Sequence, residues 1–149
     1  MKASSTVRRL EKGDYDKGML ELLGELTVVG DVDKAKFEAQ FDVHASRGDD
    51  YVVLVIEDET SSRILATGTL LIEHKFIRSC SKVGHIEDVV VSDAARGQGL
   101  GRRIVCALMD AGKSLGCYKV ILDCSDDNVP FYEKVGLSRK EVQMVKYFI

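Results

Sequence analysis

The stretch VVVSDAARGQGLGRRI, residues 89–104, leaves few folds open to this chain. β-Branched residues give way to a small, charged turn and then to glycines at 97, 99 and 101. After them Leu100, Ile104, Leu108, Ala111 and Leu115 recur at intervals of three and four. That pattern is a strand, a turn of bare backbone, and an amphipathic helix that packs one stripe on a sheet. Glycine in such a turn costs backbone entropy that a plain connector avoids, so something is expected to approach it closely. The first amides of the helix point outward and carry roughly half a positive charge. Arg96, Arg102 and Arg103 add full charges around them. A diphosphate is the expected occupant, and a turn built only for tight packing is the alternative.

Two nucleotide motifs fail here. A G-x-G-x-x-G fingerprint starting at Gly97 needs a glycine where Arg102 stands. A phosphate loop ending in Gly112, Lys113 and Ser114 would need its leading glycine at Ala107, inside the helix. A net charge of -3 with dispersed cations argues against nucleic acid as a partner. There is no run of about 18 apolar residues for a membrane span, and MKASSTVRRLEKGD lacks the apolar centre of an export signal. Cys80, Cys106, Cys117 and Cys124 have neither zinc spacing nor a C-x-x-C pair, so no metal site is expected. Small buried thiols in a cytoplasmic or other reducing compartment are the reading they favour.

Along the 149 residues one core is affordable, and one domain over residues 1–149 is expected. Residues 6–10 form a strand candidate. Met19, Leu20, Leu22, Leu23 and Leu26 give a helix broken by Gly24 and Gly30. Asp33 caps a polar helix with Phe37, Phe41 and Ala45 inward, ending near Gly48. YVVLVIE and residues 63–77 form a hairpin across the polar turn DETSS. A strand over 83–91 leads into the opening stretch. Residues 118–124 are a further strand, VPFYEKVG is a short helix with Pro130 in its first turn, and residues 137–149 are expected to return as a last strand. The order β-α-α-β-β-β-α-β-α-β describes an α/β fold with a mixed sheet flanked by helices.

At this point the residues resemble a family. Arg96-Gly97-Gln98-Gly99-Leu100-Gly101 matches the R/Q-x-x-G-x-G/A signature of the GNAT acetyltransferases, and NVPFYEKVGL resembles their second recurring segment, with Leu137 in place of the usual phenylalanine. The run IEHKFIRSCSKVGHIEDVVV, with GCYKVILDC, is similar to the branch whose acceptor is an amino-sugar phosphate, and the likeness extends from Thr27 nearly to the end. The resemblance implies a mostly antiparallel GNAT sheet, acetyl-CoA as co-substrate, D-glucosamine 6-phosphate as acceptor, a homodimer, and a step toward UDP-N-acetylglucosamine. A different small amine or protein N-terminus as acceptor, and an acyl-CoA-binding module without turnover, are the alternatives.

The same resemblance assigns residues. It implies that Val89, Val90, Val91, Arg96, Gly97, Gln98, Gly99, Leu100, Gly101, Asn128 and Tyr132 hold acetyl-CoA. It implies Thr27, Lys75, Phe76, Ile77, Arg78, Glu87, Asp88 and Asp123 for the acceptor, with Glu87, Asp123 and Tyr132 catalytic. Read from the residues alone, strand alternation puts Glu87 and Val89 on one sheet face and Asp88 and Val90 on the other. Lys75, Arg78 and Lys82 make a cationic cluster, His74 and His85 read as structural, and Phe131 reads as core. One departure stands out. The family usually supplies an arginine across the dimer near the C-terminus, where this chain has Tyr147 with Lys146 beside it, and lysine is a poorer bidentate partner for phosphate.

Overall fold

The computed structural model describes residues 5–149; residues 1–4, the start of the domain expected from sequence, lie outside the described residues. Five strands, β1 (Val7–Arg9), β2 (Tyr51–Glu57), β3 (Ile64–His74), β4 (Lys82–Val91) and β5 (Cys117–Ile121), form one sheet in the order β1-β2-β3-β4-β5. The first four are antiparallel neighbours and β5 joins β4 in parallel. The helices are α1 (Met19–Gly24), α2 (Lys34–Ser46), the single turn α3 (Ile77–Cys80), α4 (Leu100–Ser114) and α5 (Val129–Glu133).

Register divides the sheet into two faces. Val52, Leu54 and Ile56 of β2, Ala66, Leu70 and Ile72 of β3, and Ile86 of β4 pack under α4, whose Leu100, Ile104, Val105 and Leu108 are buried. Each such fully buried aliphatic side chain contributes roughly 1.5–3 kcal/mol. Val53, Val55, Ile64 and Val90 face the other way, against Met19, Leu22 and Phe37 of α1 and α2. Glycine permits the tightest helix-sheet approaches. A Cβ on Gly68 would come 2.6 Å from Leu108, and one on Gly112 2.9 Å from Val120. Gly112 is therefore a packing residue.

Sequence pattern misjudged several places. Asp33 does cap α2, accepting the Lys36 N–H at 2.8 Å, but only Phe37 of its three inward residues is buried; Ala45 is exposed. The thiols are free rather than buried, with Cys80 and Cys124 exposed and Cys106 and Cys117 intermediate. The last strand does not form. Residues 137–149 carry no regular structure, and Val142, Met144, Tyr147 and Phe148 are each at least 80% exposed. Its closing residues are largely apolar, but no strand pairs with it among the described residues. A feature no pattern announced is the buried Asp14, which takes two bonds from Arg8 (2.9 and 2.8 Å) and the Glu11 N–H at 2.8 Å, tying the first turn to Glu57. The paired Asp14 and Glu57 hold the Arg8 proton more tightly than usual.

Candidate active site

The turn between β4 and α4 is built by two glycines in the left-handed region, Gly97 at φ 81° and Gly99 at φ 75°. A Cβ on either would meet nothing within 4 Å, so conformation rather than crowding demands glycine there. Gly101 differs, since its Cβ would lie 3.3 Å from the Phe131 ring of α5. With Gly99 as N-cap, the amides of Leu100, Gly101 and Arg102 have no carbonyl one turn earlier to accept them, and the first bond onto the turn runs from Arg103 N–H to Gly99 at 3.1 Å. Arg96 is two-thirds exposed beside Asp93 at 2.8 Å. Arg103, expected at this turn, instead donates to the backbone and hydroxyl of Ser5. Open amides, a helix N-terminus and the exposed Arg96 and Arg102 suit a diphosphate, the charged hinge of acetyl-CoA.

One strand earlier lies a carboxylate cluster, and a bulge sets it. Thr69 faces Glu87 and Thr67 faces Val90, so Gly68 alone spans Asp88 and Val89, with Asp88 at φ 50°. The extra residue inverts the expected alternation: Glu87 shares a face with Val90, while Val89 and Val91 pack with the α4 cluster. Pairing of β4 with β5 stops at His85 opposite Ile121. Beyond it, residues 86–91 have no β5 partner among the described residues, which leaves backbone groups of the β4 edge free for a ligand. Asp123 follows two residues after Ile121, on the Glu87 side. Partial burial first, then Asp88 and Asp123, raise the proton affinity of Glu87 above that of an ordinary glutamate, while His85 opposes them. Sequence thus named three carboxylates that the fold does gather.

Tyr132 packs against the α4 core, and burial, with Cys124 nearby, pushes its phenol upward. The packing role expected of Phe131 is shared. Phe131 is 37% exposed, edge-on to Tyr132 at 4.9 Å, and lies over Gly101. Asn128 is exposed as the residue before α5, and Pro130 sits in its first turn as expected.

The cationic segment is less uniform than its sequence. Lys75 Nζ bonds Glu73 at 3.0 Å, and Arg78 lies 4.9 Å over the Tyr118 ring. Lys82 leaves the expected cluster and donates to the Leu115 carbonyl at 3.0 Å, at the C-terminal end of α4 where a cation is favoured. Phe76 is 94% exposed, and Arg78, Ser79 and Cys80 are all left-handed, a strained turn of non-glycine residues. Thr27 lies past the end of α1, its N–H on Leu23 at 3.1 Å.

A cavity of about 750 Å³ shares Ser92 and Gln98 with the glycine turn but is lined elsewhere by α1 and the β2–β3 turn, and Glu87, Asp123 and Tyr132 are not among its lining residues. Two neighbours were missed. Tyr51, whose phenol is raised by burial and then by Asp88, lies in the row Tyr51, Leu71, His85, Ile121 across the sheet. Gln143 donates to Asp123 at 3.0 Å. Hairpin register could have found Tyr51; nothing local marks Gln143. No group of His, Cys, Asp and Glu fit for a metal ion occurs among the described residues.

Comparison with known proteins adds the following. The acetyltransferase (GNAT) family profile matches residues 17–137. The chain is 56% identical over 142 residues to the glucosamine 6-phosphate N-acetyltransferase of Arabidopsis thaliana, covering 95% of each. It is 50% identical over 147 residues to a probable glucosamine 6-phosphate N-acetyltransferase of Oryza sativa subsp. japonica, covering 97% of this chain and 89% of that one. The crystal structure of the Arabidopsis thaliana enzyme superposes with a TM-score of 0.96 at 55% identity, covering 98% of this chain and 99% of the other.

Proposed function

The chain belongs to the acetyltransferase (GNAT) family, and from that premise we propose that it transfers the acetyl group of acetyl-CoA to the amine of D-glucosamine 6-phosphate, releasing N-acetyl-D-glucosamine 6-phosphate and CoA. The observation that carries the reading is the convergence of Glu87, Asp88 and Asp123 on the β4 edge that has lost β5, one turn before the open amides of the glycine loop.

Acetyl-CoA supplies an activated thioester. The remaining work falls to this chain's residues. Gly97 to Arg102, with Arg96, hold the diphosphate, Asn128 meets the pantetheine arm, and the freed backbone of Val89, Val90 and Val91 receives the thioester end. An amine that titrates near ~8 needs only about 1.4 kcal/mol to lose its proton at pH 7, so a weak base suffices. Glu87 and Asp123 orient that amine and accept its proton, directly or through water. Asp88 holds sugar hydroxyls. The Tyr132 hydroxyl, kept protonated by burial, donates to the departing thiolate. Thr27 and the segment from Lys75 through Phe76 and Ile77 to Arg78 bind the sugar phosphate, Lys75 first among them.

A second copy belongs to the same reading. The apolar exposed segment 137–149 is the expected exchanged element of a homodimer, and it would carry Lys146 toward the partner's acceptor site in place of the missing arginine. Four free thiols suit a reducing, cytoplasmic setting, and among the described residues no helix is long and apolar enough to cross a membrane.

Release of CoA thiol, measured against a panel of amines, tests the assignment. Glucosamine 6-phosphate should release thiol far faster than glucosamine, polyamines or peptide N-termini. Equal rates with and without the phosphate overturn the acceptor; silence from every amine leaves a binding module.

A further inference from the structure

Glu73 stands between Lys75 and His85 on the open face of β3 and β4. Its Oε1 accepts from His85 Nε2 at 2.9 Å, and its Oε2 accepts from Lys75 Nζ at 3.0 Å. Register explains the first contact: Glu73 is opposite Val83 and Leu71 is opposite His85, so Glu73 and His85 are diagonal neighbours on one face. The next position along that face is Glu87, opposite Thr69. A continuous line of charge therefore runs from Lys75, through Glu73 and His85, to the carboxylate cluster. His85, then Lys75, hold Glu73 below the usual carboxylate range.

We propose that Glu73 is a positioning residue of the acceptor site, one carboxylate that fixes Lys75 at the phosphate end and His85 beside the amine end. The proposal rests on the acceptor reading above. Its physical content is competition. His85 is two residues from Glu87 on the same face, and an imidazole without Glu73 is free to turn toward Glu87 and occupy the lone pairs needed by the amine. Lys75 without Glu73 sweeps solvent instead of standing over the phosphate. As a surface ion pair Glu73 adds little to stability, so its contribution lies in where it holds its two partners. The charged groups around His85 are Glu73 and Lys75 from β3 and its extension, Glu87 and Asp88 from β4, and Lys119 and Asp123 from the β5 side; Tyr51 is the nearest phenol across the row.

Two measurements on the full-length protein test this. In the first, the His85 ring is observed by NMR in the ligand-free protein, its resonances assigned by loss in H85N. Glu73→Gln weakens the contact at Nε2, so those resonances should shift as the ring leaves its place. In the second, steady-state kinetics of Glu73→Ala should show KM for glucosamine 6-phosphate rising at least about tenfold while KM for acetyl-CoA stays unchanged. His85 ring resonances that do not move sink the proposal. So do moved resonances with an unchanged acceptor KM, which would make Glu73 a surface pair only. Absence of turnover in the unmodified protein would instead condemn the acceptor reading, a separate outcome from normal turnover that Glu73→Ala leaves untouched.

Discussion

Glu87 keeps its proton longer than a free glutamate because partial burial, then Asp88 and Asp123, penalise its charge. The consequence for stability has a definite sign. Well below the ordinary carboxylate range both the folded and unfolded chains carry the proton, and the residue is neutral to folding. As pH rises past its raised folded value, the folded state must hold an unfavourable charge that the unfolded chain does not mind. Glu87→Gln should therefore raise the melting temperature at pH 7.5, leave it unchanged near pH 3.5, and lower kcat/KM by roughly 10²-fold. Calorimetry at the two pH values checks it; equal effects at both would mean that charge is not the cause. The acids themselves were legible as candidates in GHIEDVVV and VILDC, since carboxylates inside apolar strands need a partner or a polar cleft. Their faces were not, because the bulge at Asp88 uses a non-glycine residue at φ 50° and leaves no mark in the sequence.

The β4-turn-α4 unit is the element on which the proposed coenzyme site stands. Two of its three glycines are required by left-handed backbone, and the third lies close under the Phe131 ring. Gly97→Ala forces an L side chain into φ 81°, at a cost of about 1–2 kcal/mol. It should lower stability by that amount in urea titrations and raise KM for acetyl-CoA several-fold, with KM for the acceptor unchanged. An alanine variant with wild-type acetyl-CoA kinetics would detach the turn from the coenzyme. The periodicity of α4 was readable because every third or fourth residue meets one flat sheet. The polar α2 was readable from its Asp33 cap, but its inward face was not, since one aromatic, Phe37, anchors it and the other two expected inward positions are not buried.

At the scale of the molecule, the five-stranded sheet closes its core without residues 137–149, whose large apolar side chains stand in water. A surface of that kind calls for a partner surface. The intact protein should run as a dimer by light scattering at micromolar concentration. Deleting residues 141–149 should give a folded monomer with acetyl-CoA affinity retained and KM for glucosamine 6-phosphate raised about tenfold or more, the effect of losing a phosphate-end cation. A fully active monomer in the intact chain would end the dimer reading. The contact of Gln143 with Asp123 is an additional route by which this segment reaches the carboxylates.

Local pattern was enough for the order of the main elements through α5, the hairpin and the glycine turn, because period, caps and turn residues act over a few neighbours, and two spaced motifs carried the likeness to the family; the strand expected over residues 137–149 was not borne out. Pairing across the sheet settled the rest. It turned Glu87 to the Val90 side, parted β4 from β5 after His85, sent Lys82 and Arg103 away from the site, and set Glu73 between Lys75 and His85. Those outcomes depend on which distant residue stands opposite which, and a single extra residue in one strand is enough to change the answer.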